Sequence, residues 1–179
     1  MKNVTLKYLT ILFLSITVLS CSDDDDPAVI NEEETITTVK LTVTESGSTT
    51  STEYTWTEDS QDPITLQANT TYNFTIEFLD ESNPDDVEDI TAEVIAEADE
   101  HYVFYENTVT GLVFQSAADD TQDSNDISIN VSTDWTTGSA GTGIIRAYLI
   151  HEPTTKTGDS RADFGGETDI EVEFTTTVQ

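Results

Sequence analysis

The chain has two histidines, His101 and His151, and each stands at the end of an apolar run with acids beside it. Glu97, Asp99 and Glu100 precede or adjoin the first, and Glu152 follows the second. Imidazole together with carboxylate suits zinc or another divalent first-row metal, so His101, His151, Glu97, Glu100 and Glu152 form the candidate ligand set. Two histidines on facing strands would also suit axial ligation of a haem iron. No sequence spacing links the two, so the fold must bring them together. The plainer alternative is a pair of strand-end histidines with no ligand.

Other groups carry weaker signals. Asp119, Asp120, Asp123 and Asp126 make an oxygen-rich run that could hold calcium, but it lacks the spacing and central glycine of an EF-hand loop, and a solvated acidic turn fits better. The glycine-rich stretch from Gly138 to Gly143 precedes a β-branched run and no lysine follows it, so it is no phosphate loop. There is no Gly-x-Ser-x-Gly elbow. Acid pairs are too plentiful to single out a glycosidase couple. Trp56, Trp135, Tyr54 and Tyr72 could stack on a sugar, yet they fall on inward-facing stripes. The chemistry expected is binding rather than catalysis.

The one cysteine, Cys21, has a different use. Lys2 and Lys7 open a segment that is mostly apolar from Leu6 to Leu19, and Val18-Leu19-Ser20-Cys21 closes it. That is a signal peptide over residues 1–20, too short to span a bilayer, ending in a lipobox. Acylation of Cys21 with more than one chain would give a stable membrane anchor, at roughly 0.8 kcal/mol per buried methylene. Residues 21–34 then read as the lipidated cysteine and an acidic tether, with Asp23 to Asp26 self-repelling and Glu32-Glu33-Glu34 at the end. The run Cys-Ser-Asp-Asp-Asp-Asp resembles the start of many mature lipoproteins of the Bacteroidota. That resemblance implies an outer-membrane lipoprotein facing the cell exterior.

Removing residues 1–20, which hold two lysines and no acid, takes the formal net charge from −30 to −32. So acidic a chain will not bind nucleic acid or an anionic lipid surface by electrostatics, and it would concentrate cations or a basic partner.

The elements that must position these groups read as strands. Val39, Leu41 and Val43 alternate with polar residues, as do Tyr54 with Trp56, and Tyr72, Phe74, Ile76 and Phe78. His101 to Tyr105 is apolar on both faces. Val109 to Phe114 is a further strand, and Ile127, Ile129, Val131 and Trp135 share one face of the next. Ile144 to Ile150 is apolar almost throughout, which predicts a central strand ending at His151. Ile170, Val172, Phe174 and Val178 face inward, with Asp169, Glu171 and Glu173 outward. Residues 63–69 offer an edge strand, and residues 152–166 a long polar loop. Residues 90–99 fit either period; alanine and glutamate favour a short helix there, with Ile90, Val94, Ile95 and Ala98 on one face behind Asp89. The whole predicts an all-β fold over residues 35–179. It is a single antiparallel β-sandwich, immunoglobulin-like or similar, with at most one short helix.

Three segments, Glu32 to Val39, Ala96 to His101 and Gly165 to Val172, together with Leu149 to Pro153, carry a wider resemblance. They resemble a family of small Bacteroidota lipoproteins that often carries the name "type 1 periplasmic binding fold superfamily protein". The resemblance implies no established activity and no catalytic residues. The name implies two α/β lobes, whose parallel sheets need helical crossovers of a dozen or more residues; this chain offers at most one. The expected function is a non-enzymatic binding or accessory lipoprotein, working beside an outer-membrane transporter. Metal or haem binding through His101 and His151, or a carbohydrate-binding or hydrolase-accessory role, are the alternatives.

Overall fold

The computed structural model describes residues 34–179. The expected signal peptide, the expected lipidation at Cys21 and the acidic run after it lie outside the described residues. In chain order the elements are β1 (Thr38–Glu45), β2 (Ser51–Thr57), β3 (Ser60–Gln61), β4 (Ile64–Leu66), β5 (Thr71–Asp80), β6 (Glu88–Asp89), α1 (Ile90–Ala96), β7 (His101–Asn107), β8 (Val113–Ser116), β9 (Ser132–Thr136), β10 (Gly141–His151), α2 (Arg161–Phe164) and β11 (Glu167–Val178). Among them no helix is long and apolar enough to cross a membrane.

Two sheets share one core. The larger runs β3-β2-β1-β5-β9-β8, with β6 added to β5, and the smaller runs β4-β11-β10-β7. The period-two stripes decide this. Val39, Leu41 and Val43 stand opposite Phe78, Ile76 and Phe74 across the β1–β5 ladder. A slip of one residue would turn all six to the other face, so burial fixes the register. The second sheet answers with Val103 and Tyr105, Ile145, Ala147 and Leu149, and Val172, Phe174 and Val178. Trp135 sits fully buried among Phe114, Phe74 and Tyr105, at 4.7, 5.2 and 5.5 Å between ring centroids. Its indole N–H donates to Thr133 Oγ1 at 2.8 Å. Trp135 and Tyr72 are thus core residues, while Tyr54 and Trp56 are half-buried and pack against the core.

The sandwich differs in detail from the sequence pattern. The edge strand β4 pairs with β11 in parallel, the one parallel ladder among these strands. The helix forms at residues 90–96 as expected, but Ile95 points to solvent; Ile90, Val94 and Ala98 are the residues that reach the core. Asp89 makes no side-chain cap. Thr91 instead fastens the helix to β5, its hydroxyl accepting from Phe78 N–H at 2.8 Å. The polar stretch 152–166 contains a second helix, the single turn α2, where Asp163 accepts from the Ser160 backbone N–H at 2.9 Å. The strand read from Ile127 begins only at Ser132. Asp126 and Asn130 adopt left-handed backbone (φ 61° and 66°), which breaks alternation, and Ile127 is 38% exposed. The strand read at Val109 to Phe114 shifts to Val113–Ser116, after a turn at Gly111 with φ 76°.

The acidic loop is not a solvated turn either. Asp120 is buried and accepts from the N–H groups of Asn130 and Ser132 at 2.6 and 2.8 Å. Asp123 accepts from Asn125 and Ile127 N–H at 2.8 and 2.9 Å, and from Lys156 Nζ at 2.9 Å. The same ammonium donates to Ala98 O at 2.6 Å, so one side chain ties together three loops.

Burial alone would raise the Asp123 pKa, but the Lys156 ammonium and the two backbone N–H groups outweigh it and hold the carboxyl below its ordinary 3.8. A depressed carboxylate contributes stability that is complete above its unfolded value and is lost as pH falls through the folded one. Lys156→Met leaves Asp123 buried without its cation and should cost about 3–5 kcal/mol. Urea unfolding should show that full gap at about pH 7 and a gap that shrinks as pH falls below 3.8 through the lowered folded value. An equal gap throughout would show that Lys156 acts through packing alone.

Candidate metal centre

His101 opens β7 and His151 closes β10, and the antiparallel register sets them opposite each other. The Glu152 N–H donates to Glu100 O at 2.7 Å, so the next pair along, His101 with His151, is a non-hydrogen-bonded pair. Cross-strand side chains come closest at such pairs. The imidazoles lie face to face, 4.9 Å between centroids and 6° between planes. Both share the parity of their strands' core residues, Val103 and Tyr105 on β7, Ala147 and Leu149 on β10. The pair therefore ends the core stripe of the smaller sheet. His101 is only 1% exposed, while His151 is half-buried.

A third group arrives through an irregularity. Leu149 pairs with Ile170 but Ile150 pairs with Thr168, so Asp169 is an extra residue in β11. A bulge of this kind re-aims a side chain. Asp169, read from the sequence as outward with Glu171 and Glu173, instead joins the histidines, and one ligand atom from each of the three lies within 4.8 Å of the others. The approach to β11 depends on Gly166, whose φ is 62°. A Cβ there would stand 2.3 Å from His151 O and 2.7 Å from Glu152 O, so the chain can enter β11 this close to His151 only through glycine.

Glu34 supplies a fourth group. Read from the sequence as the end of the tether, it packs onto the domain, with Oε1 3.6 Å from His101 Nε2 and a side chain only 14% exposed. Its Oε2 is buried and has no hydrogen-bond partner among the described residues. Burial, reinforced by the negative charges of Glu93, Asp169 and Glu97 and opposed by His151, pushes the Glu34 carboxyl up to about 7.

The protonation of His101 follows from its neighbours. Its Nδ1 lies 3.2 Å from the carbonyl oxygen of Glu97. A carbonyl only accepts, so Nδ1 carries the hydrogen and Nε2 is left with a lone pair. Burial pushes the His101 pKa below its ordinary 6.5, and His151 adds to this while the Glu97 carbonyl opposes it. His101 is thus neutral at pH 7, and Nε2 is buried with no hydrogen-bond partner among the described residues. A histidine whose far nitrogen donates to a backbone carbonyl has the outer-shell arrangement typical of a metal ligand.

The other acids read from the sequence take different places. Glu97 contributes its backbone carbonyl. Glu100 is 57% exposed in its side chain, with Oε2 3.9 Å from His151 Nε2. Glu152 is exposed, and these two carboxylates gather with His151 on the solvent side in a second group within 4.8 Å. Two nitrogens on one zinc ion, each at about 2.0–2.1 Å, lie roughly 3.3 Å apart, within reach of neighbouring side chains on paired strands. Axial haem ligands must aim their nitrogens at each other across the iron. Face-to-face imidazoles on adjacent strands of one sheet do not do this, and a small ion shared by both would need the rings to turn from parallel until their in-plane lone pairs converge.

The protonation pattern is open to direct measurement. Nitrogen-detected imidazole spectra of chelator-treated protein should show His101 as the Nδ1–H tautomer, with a midpoint below 6.5. A His101 that titrates at or above the ordinary value, or carries its proton on Nε2, would contradict this assignment. Compared with protein-family models, with curated proteins and with solved structures, the chain finds no match in any of the three, so the chemistry of this centre is read from its own residues.

Proposed function

We propose that this protein is a lipid-anchored, non-enzymatic binding module of the outer membrane, facing the cell exterior, and that its ligand is a divalent first-row cation. Cys21 supplies the anchor and the acidic run after it the spacing from the membrane. His101, His151 and Asp169 hold the ion. The observation that carries the reading is the buried, unprotonated Nε2 of His101, stacked beside a second imidazole and faced by carboxylates. Two imidazoles and a carboxylate match the donor set of zinc sites, and late first-row ions bind such sites most strongly. The formal net charge of −30 raises the local cation concentration and excludes nucleic acid as a partner. A module that captures a cation at the surface would work beside an outer-membrane transporter that takes the ion onward.

Calorimetry on the full chain in detergent, after treatment with chelator, should show one zinc ion bound. His101→Ala, His151→Ala and Asp169→Asn should each weaken binding by tenfold or more, on the scale of outer-shell losses or beyond it. No binding, or binding indifferent to all three substitutions, would remove the cation from the reading. In cells, Cys21→Ala should move the protein from the membrane fraction to the soluble fraction. Retention in the membrane would rule out the lipid anchor.

A further inference from the structure

We infer that Glu34 is the fourth ligand of the cation site, so that a bound ion fastens the base of the membrane tether to the sandwich. This rests on the reading of His101, His151 and Asp169 as ligands. The argument starts from two acceptors that face each other. His101 carries its hydrogen on Nδ1, toward the Glu97 carbonyl, so Nε2 presents a lone pair. Opposite it, 3.6 Å away, is a carboxylate oxygen of Glu34. His101 is buried and Glu34 partly so, and neither Nε2 nor the second, buried Glu34 oxygen has a hydrogen-bond partner among the described residues. Two acceptors in this position repel unless a positive centre, a proton or a metal ion, lies between them.

The separation fits such a centre. Zinc binds nitrogen at about 2.0–2.1 Å and carboxylate oxygen at about 2.0–2.2 Å, so two ligands of one tetrahedral ion stand roughly 3.4 Å apart. The observed 3.6 Å needs only a small closure. His101, His151, Asp169 and Glu34 would then make a four-ligand shell with no open position, the kind that holds a metal structurally and does not activate water. Three ligands come from β7, β10 and the bulge in β11. The fourth comes from the residues just before β1, thirteen positions after Cys21. Loading the site would join the smaller sheet to the point where the anchor segment meets the domain. The acids of the solvent-side group, Glu100 and Glu152, lie outside this shell.

Two measurements test it on the full chain in detergent. The first is zinc calorimetry on the wild type and Glu34→Gln, a substitution that keeps size and hydrogen-bonding capacity but removes the charge. We expect affinity to fall by about tenfold or more, with tryptophan fluorescence unchanged. The second is cleavage of the wild type by a glutamate-specific protease, followed by mass spectrometry at the Glu34–Thr35 bond. Saturating zinc should slow that cut by about tenfold or more relative to chelator-treated protein, while cleavage at the exposed Glu58 stays constant. Absence of zinc binding by the wild type would overturn the cation site itself. Zinc binding by the wild type with Glu34→Gln equally tight, or with Glu34–Thr35 cut at the same rate in both conditions, would overturn the role of Glu34 and leave the three-ligand site standing. The protease arm uses only the wild type, so it decides the matter even if the variant fails to fold.

Discussion

Strand β10 presents apolar side chains on both faces and is paired along both edges. Ile145, Ala147 and Leu149 point into the shared core, and Tyr148 and Ile150 point the other way. Each fully buried side chain of this size is worth about 1.5–3 kcal/mol against leaving it in water, so neither face can be left open. The larger sheet covers one face. The other needs a cover that no strand supplies, and the stretch after β10 turns back to provide it. Phe164 on α2 packs on Tyr102 and Phe104 at 5.2 and 4.6 Å, and Phe104 stacks on Tyr148 at 6.0 Å. Gly165 and Gly166 then return the chain to the sheet beside His151. The path that closes the outer apolar face is the same path that delivers Asp169 to the histidines.

The polar centre is affordable because it lies where the core stripe runs out. At the strand ends the imidazole of His101 meets the Glu97 carbonyl at the exit of α1, the bulged Asp169 and Glu34. Helix α1 contributes its position rather than its dipole. Ile90, Val94 and Ala98 hold it against the core, and this sets the Glu97 carbonyl over His101. In the middle of β10, Arg146 meets Glu106 of β7 and Glu171 and Glu173 of β11 on the outer face. Without that cation the strands on either side of β10 would bring like charges together on one surface.

Much of this was legible from residue order. The stripes of β1, β5, β7, β10 and β11 were readable because burial on one face forces a period of two, and His101 and His151 were visible as the ends of apolar runs. Their adjacency was not, since strand pairing between residues fifty positions apart leaves no local trace. Asp169 was misread for a definite reason: alternation assigns it outward, and one extra residue in a ladder reverses that assignment without altering composition. The Gly165-Gly166 pair just before it was the available hint. Glu34 offered no hint at all, being the last of three equivalent glutamates in an acidic run. Ile127 and Val109 fell on apolar stripes that left-handed residues interrupt, and such residues are signalled only weakly by Asn and Asp.

The parallel pairing of β4 with β11 has a bearing on how the domain comes into being. β11 lies inside its sheet, between β4 and β10, yet it is the last of the described strands to be synthesised. The smaller sheet cannot assemble from the strands that precede it, because its central partner is missing until the ribosome has passed residue 178. Closure must also join β4 to a strand about a hundred residues downstream, and long-range pairing of this kind is slow. The sandwich thus closes only once β11 has been made, although every strand of the larger sheet precedes residue 137.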